Sequence, residues 1–255
     1  MSALPEHDPQ ELMRSVAAAL RFARYTGAEA IDRRWAKPLE VVQEIPQPQP
    51  VQTRPVQPRP QPQQPQVTLL DPAVALQKLN ARIDGCVKCV HSQSRSQIVF
   101  GQGNPRARLM LVGDAPGPEE DRAGLPWQGE SGALLDKMLA AIGLARADVW
   151  MTTVTLCLPP QPEIVAREPL LACSPYLRTQ METVKPEVVL LMGEAVSQFL
   201  LRKTQPLAEM RGQWTQVLDR ATLATWAPAH LLSDPAKKRQ AWADLQAVQA
   251  KLAGK

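Results

Sequence analysis

The stretch ARLMLVGDAPG, Ala107–Gly117, holds a short apolar run, Leu109–Val112, that stops in a turn containing Gly113, Pro116 and Gly117. A brief continuous apolar run bounded by Gly and Pro reads as a strand buried on both faces. Working outward, SGALLDKMLAAIGL (Ser131–Leu144) has helical spacing and a stop at Gly143, and DVWMTTVTLC (Asp148–Cys157) is rich in β-formers. LLACSPYLRTQMETV (Leu170–Val184) reads as helix, Glu187–Met192 as a second continuously apolar strand ending at Gly193, and EAVSQFLLRK (Glu194–Lys203) as helix. ATLATWAP (Ala221–Pro228) is a fourth short strand. The last segment, Asp234–Ala253, is a closing helix capped by Asp234 and Pro235. Strands that alternate with helices predict an α/β fold, a mostly parallel sheet of four strands with helices on both faces. In such sheets the ligand crevice lies outside the carboxyl ends of the strands. Three strand ends carry distinctive chemistry: GDAPGPEEDR, TTVTLCLPP and WAPAHLL.

Composition sets the bounds. The chain has 255 residues, 44% hydrophobic and 21% charged, enough for a globular core. No apolar run approaches the roughly 20 residues that span a bilayer, and the N-terminus lacks a basic-then-apolar leader pattern. A cytoplasmic protein is the expectation, with no membrane partner. A net charge of +4 and a pI of about 9.0 permit nucleic acid without requiring it.

Proline divides the chain. Residues 46–66 hold eight prolines and almost no apolar side chains, so residues 43–66 read as a disordered, extended Pro/Gln-rich spacer. Ahead of it, residues 1–42 form an arm with one amphipathic helix. Asp8 caps that helix, Leu12, Val16 and Leu20 line one face, and Gly27 ends it. Such a helix is marginal alone and packs on the main domain, residues 67–255, or on a partner.

Four cysteines stand out: Cys86 and Cys89 as a C-x2-C pair, then Cys157 and Cys173 with 15 residues between them. In a cytosolic chain, disulfides are disfavoured. Spacing leaves three readings open: a four-thiolate zinc site, an iron–sulfur cluster, or small core residues.

Taken in order from Ala81 to Val248, the segments CVKC, VFGQGNPRARLMLVGDAPGPEEDRAGLPWQGESGALLDKML, DVWMTTVTLCLPP, ACSPYL, KPEVVLLMG, MRGQW and TWAPAHLLSDPAKKRQAWADL resemble the family 4 uracil-DNA glycosylases. The resemblance implies a three-layer α/β/α sandwich on a four-stranded sheet. It also implies that Cys86, Cys89, Cys157 and Cys173 hold a structural [4Fe-4S] cluster, and that the partner is DNA. Family chemistry flips a uracil into a pocket, reads its edge and stabilises the departing base.

The resemblance places the pocket on Gly113, Asp114, Ala115, Pro116 and Gly117, where the family has Gly-Glu-Ala-Pro-Gly, with Glu120 as a second acid. Either carboxylate would orient a water or favour a cationic sugar; read from charge alone, Glu119–Asp121 is a solvated run before a helix. Trp127 falls on the family's stacking Phe, as platform or as plug. Thr153 falls on the Asn that reads uracil, and a hydroxyl cannot make the paired amide contact. Ala227 falls on the His that donates to the base oxygen, and a methyl cannot donate. His230, three residues on, is either a replacement that swings back or a packing or DNA-facing residue. Ser233, Leu156 and Leu158 stand where the family has cations, so phosphate contacts look weakened.

The expectation is therefore a family 4-like iron–sulfur protein of DNA repair or replication with uracil excision lost or altered. Two alternatives accompany it. One is an active glycosylase for another lesion. The other is a non-catalytic adaptor like the psi accessory subunit of the bacterial replicative clamp loader, to which Ala133–Thr153 and Asp234–Leu245 are faintly similar, tethering a replication or repair protein through the N-terminal arm.

Overall fold

The computed structural model describes residues 71–161 and 166–254. The predicted arm helix and Pro/Gln-rich spacer lie outside those residues. The first described helix, α1 (Pro72–Ile83), starts on Asp71, whose side chain accepts from the Ala73 amide. After it come β1 (Gln102–Gly103), β2 (Leu109–Gly113), α2 (Pro118–Ala123), α3 (Gly129–Ala141) and β3 (Val149–Thr153). The second half holds α4 (Arg167–Val184), β4 (Val188–Met192), α5 (Glu194–Leu201), α6 (Leu207–Met210), β5 (Thr215–Val217) and β6 (Arg220–Thr225). It closes with α7 (Pro228–Ser233) and α8 (Lys238–Leu252).

The sheet has six strands in the order β1-β3-β2-β4-β6-β5. Its centre is the expected parallel set of four, β3-β2-β4-β6. The two strands that the expectation lacks are antiparallel edges, β1 on β3 and β5 on β6. Both are too short, at two and three residues, to show an alternating pattern. Every residue of β2, β3 and β4 is buried, which accounts for the unbroken apolar sequence of β2 and β4; β3 ends in two buried threonines. Right-handed crossovers put α4 and α5 on one face and α2 and α3 on the other. On the first face α1 packs on α4; on the second α7 packs on α3.

Parallel register aligns Thr153, Gly113, Met192 and Thr225 at one end of neighbouring strands. A buried ion pair fixes the loop and closing helix behind that row. Arg211 binds Asp244 through two nitrogens, and the Thr225 hydroxyl donates to the same carboxylate at 2.6 Å. Asp244 is 2% exposed, so the pair is held out of water. Helix α4 contains Pro175, which frees the Leu171 carbonyl; the Ser174 hydroxyl takes it at 3.0 Å.

The fourth predicted strand ends at Thr225, and the strand end WAPAHLL turns directly into a helix: α7 begins at Pro228, with Ala227 as its N-cap. Asp234 caps as expected, but onto a 3-10 turn, Pro235–Lys237, before α8 proper. Among the described residues no helix is long and apolar enough to cross a membrane.

Candidate functional site

At the aligned strand ends lies a cavity of about 500 Å³, within the range of small-molecule sites. Gly113, Asp114, Ala115, Pro116, Gly117, Glu120, Trp127, Thr153 and Ala227, the residues predicted from sequence, all line it. His230 does not. Ser131, Met192, Glu194 and Gln198 complete the wall, and the sequence reading missed them. The signal was present in MGEAV: a fourth strand end, Gly193 followed by an acid, of the same kind as the three singled out.

Gly113 is required by its neighbours. A Cβ there would stand 3.0 Å from Trp127 Cζ2 and 3.2 Å from Thr153 Cγ2. The Trp127 indole therefore lies against the end of β2 and forms part of the cavity wall. Its backbone is left-handed, φ 50°, a conformation costing a non-glycine residue of order 1 kcal/mol. Two contacts hold it: Arg146 Nη2 donates to the Trp127 carbonyl at 2.7 Å, and Gly132 lets that carbonyl approach α3.

The two acids are built into the frame. Asp114 Oδ1 accepts the Val196 amide at 2.6 Å, capping α5 from the neighbouring strand. Its carboxyl fills the space that a side chain on Gly193 would need. Although the residue is half-exposed by surface area, its carboxyl is desolvated, and that pushes its pKa up to about 6 against the pull of the Val196 amide; the charge of Glu194 adds to the rise. Glu120 uses both oxygens, accepting from Gly117 N and Gln128 N at 3.0 Å each. It thus ties the GDAPG turn to the segment carrying Trp127. Asp121 is 2% exposed and accepts from the Ser96 amide at 2.8 and 2.9 Å. Two acids of the run, Glu120 and Asp121, are therefore turned onto backbone amides, while Glu119 is exposed.

The remaining polar groups are also engaged. Thr153 Oγ1 donates to the Thr155 carbonyl at 2.7 Å, spending its one hydrogen. Glu194 Oε2 accepts from Leu207 N at 2.9 Å, and Ser131 Oγ donates to Gln128 O at 3.2 Å. Ala227 offers the cavity a methyl group. His230 faces elsewhere: its ring stacks on Trp226 with centroids 4.8 Å apart, and its Nε2 lies 2.8 Å from Lys237 Nζ. That arrangement contradicts a histidine swinging into the cavity. Leu156 is likewise corrected: at 2% exposure it is a core residue, not a phosphate position turned apolar.

A second cluster lies near TTVTLC. Cys157 and Cys173 are buried, and Cys86 and Cys89 are half-buried. All four are close enough to interact: burial pushes the Cys157 and Cys173 thiols up, the latter to about 11, and Cys86 and Cys89 add to both shifts. Arg95 Nη1 points at Cys157 Sγ from 3.4 Å and opposes its rise; the Tyr176 hydroxyl lies 3.8 Å from Cys86 Sγ. His91 is buried with an unpartnered Nδ1. A single zinc ion needs its thiolates about 2.3 Å from one point, and among the described residues no three candidate donors are so gathered.

Residues 100–246 match the sequence profile of the Uracil DNA glycosylase superfamily. The chain is 34% identical to a Type-4 uracil-DNA glycosylase of Pyrobaculum aerophilum over 178 residues, 67% of this chain and 91% of that one. It is 32% identical over 182 residues to the Type-4 uracil-DNA glycosylase of Saccharolobus solfataricus, covering 67% and 83%. A third similar protein is the Type-4 uracil-DNA glycosylase of Thermotoga maritima, 32% identical over 159 residues, covering 62% and 83%.

Proposed function

Since the chain belongs to the Uracil DNA glycosylase superfamily, we propose that it is a DNA-binding, iron–sulfur member of that family in which uracil excision has been lost. One observation carries the reading. The cavity keeps its shape, but its polar side chains are spent on the protein's own backbone, and the two positions that would read and discharge a uracil are Thr153 and Ala227. A site that hydrogen-bonds a substrate edge discriminates by roughly 10⁴ or more, and losing the group forfeits that. Losing a donor to a developing oxyanion lowers the rate by about 10²–10³. Asp114 and Glu120 do not replace them. Glu120 uses both oxygens on backbone amides, and Asp114 spends Oδ1 on the Val196 amide as a helix cap.

Cys86, Cys89, Cys157 and Cys173 would hold the [4Fe-4S] cluster, with Arg95 offsetting its negative charge. The cluster would supply a cross-link between the C-x2-C segment, the end of β3 and α4, not a step in base excision. DNA would meet the strand-end face, so that the cavity lies under a displaced base. The adaptor reading rests on residues 1–66, which lie outside the described part of the chain, and no observation favours it.

The test uses a uracil-containing oligonucleotide. The natural chain is expected to bind it and leave no alkali-sensitive site, whereas Thr153→Asn with Ala227→His is expected to produce cleavage. Efficient excision by the natural chain would overturn the reading.

A further inference from the structure

A second groove, of about 970 Å³, runs between α4 and α5 and past the β5–β6 turn. It meets the cavity only at Ala195 and Gln198. Leu170, Leu177, Met181 and Phe199 form its floor, and Arg167, Arg178, Arg202 and Lys203 its rim. Among the described residues no acidic side chain lines it, although Arg178 is shared with Glu182 at 2.8 Å. Two large apolar side chains stand exposed on opposite walls: Leu171 on α4, 53% exposed, and Leu218 in the turn, 40% exposed.

Two of these rim residues occupy backbone positions that suit other residue types. Val217 pairs with Arg220, so Leu218 and Asp219 form a two-residue turn, and both have positive φ, 49° and 59°. Such turns strongly prefer Asn and Gly. Arg202 ends α5 in the left-handed region at φ 55°, the usual place of a glycine. A leucine and an arginine held at these positions, both pointing into one groove, weaken the fold locally.

We propose that this groove docks an acidic amphipathic helix from a partner protein. An apolar floor whose charged rim residues, among those described, are all cationic complements a helix with a leucine-type stripe flanked by Asp and Glu. The lined face of α4, Leu170 to Met181, is roughly 17 Å long, three helical turns. A nucleic-acid strand fits it poorly, because phosphates gain nothing from the leucine floor and lose water there. The proposal is independent of whether the cavity excises uracil.

The test pans a random peptide library on the immobilised full chain and measures affinity for the selected peptides by fluorescence anisotropy. The expected consensus has apolar residues at i, i+3 or i+4, and i+7, flanked by Asp and Glu. Leu171→Glu is expected to weaken binding at least about tenfold. Leu218→Asn and Arg202→Gly separate docking from folding: each should weaken binding while raising the melting temperature by about 1–3 °C, because the backbone strain is relieved. No consensus, a basic or proline-rich consensus, or unchanged affinity in these variants would overturn the proposal. So would a self-associated chain whose dimer is dissolved by Leu171→Glu, which would make the occupant a second copy.

Discussion

The carboxylate of Asp114, at the end of β2, accepts the amide of Val196, in the first turn of α5, at 2.6 Å. The residue that the family pattern offers as a catalytic acid is thereby a cap for a helix on the neighbouring strand. Its raised pKa follows from the same placement, since the cap is desolvated and faces Glu194.

This placement gives stability a pH dependence of definite sign. Folding lifts Asp114 from its ordinary 3.8 to about 6, so between those values the native state holds the proton more tightly than the unfolded chain. The contribution of Asp114 to stability is greatest below about pH 4, declines as pH rises through 6, and levels off above. The full swing is about 3 kcal/mol for a shift of some two units. Asp114→Asn keeps an acceptor for Val196 and removes the charge. Urea unfolding across pH 4–8 is expected to show this variant more stable than the natural chain above pH 6, with the difference vanishing near pH 4. Parallel pH profiles would refute the assignment.

Asp244 differs in having a charged partner: burial pushes its pKa up as well, while the hydrogen bonds from Arg211 and Thr225 oppose the rise. Asp244→Ala would strand Arg211, whose side chain is 18% exposed, and free the Thr225 hydroxyl. Breaking a buried pair in this way costs about 3–5 kcal/mol. The measurement is the urea midpoint at pH 7, and a loss below 1 kcal/mol would mean that the pair is better solvated than its burial indicates.

Much of this was legible in the residues. The parallel centre of the sheet announced itself in runs such as Leu109–Val112, because strands covered on both faces need unbroken apolar sequence. The strand-end turn GDAPG was legible directly, but the other pocket residues were placed by the family resemblance; GDAPG and LPWQG meet in space because Glu120 binds the amides of Gly117 and Gln128. That bridge itself was invisible, since nothing in PEEDR distinguishes a carboxylate turned onto backbone amides from one in water. The edge strands were missed for lack of length, and Glu194 because its role depends on strand order. Of the two readings of His230, packing is the one the geometry fits, since its ring stacks on Trp226 and its Nε2 meets Lys237.

The four cysteines make a prediction separate from excision. Anaerobically purified protein is expected to be brown and to carry about four irons and four sulfides per chain. Cys157→Ser and Cys173→Ser are expected to lose the colour and most of the iron. Because buried thiols such as Cys173, at about 11, must release protons to ligate, reconstitution of the iron-free chain should be faster at pH 8.5 than at pH 6.5. Zinc at one equivalent without iron would contradict the cluster.

The central claim is that the strand-end cavity retains the form of a base pocket and has lost its chemistry. The most direct measurement is single-turnover excision from a uracil-containing oligonucleotide by the natural chain and by the Thr153→Asn, Ala227→His double variant, read as alkali-induced strand cleavage. The account predicts no cleavage by the natural chain above the enzyme-free control, and a gain of at least about 10²-fold over that control in the variant. Cleavage by the natural chain that the variant does not improve would contradict it.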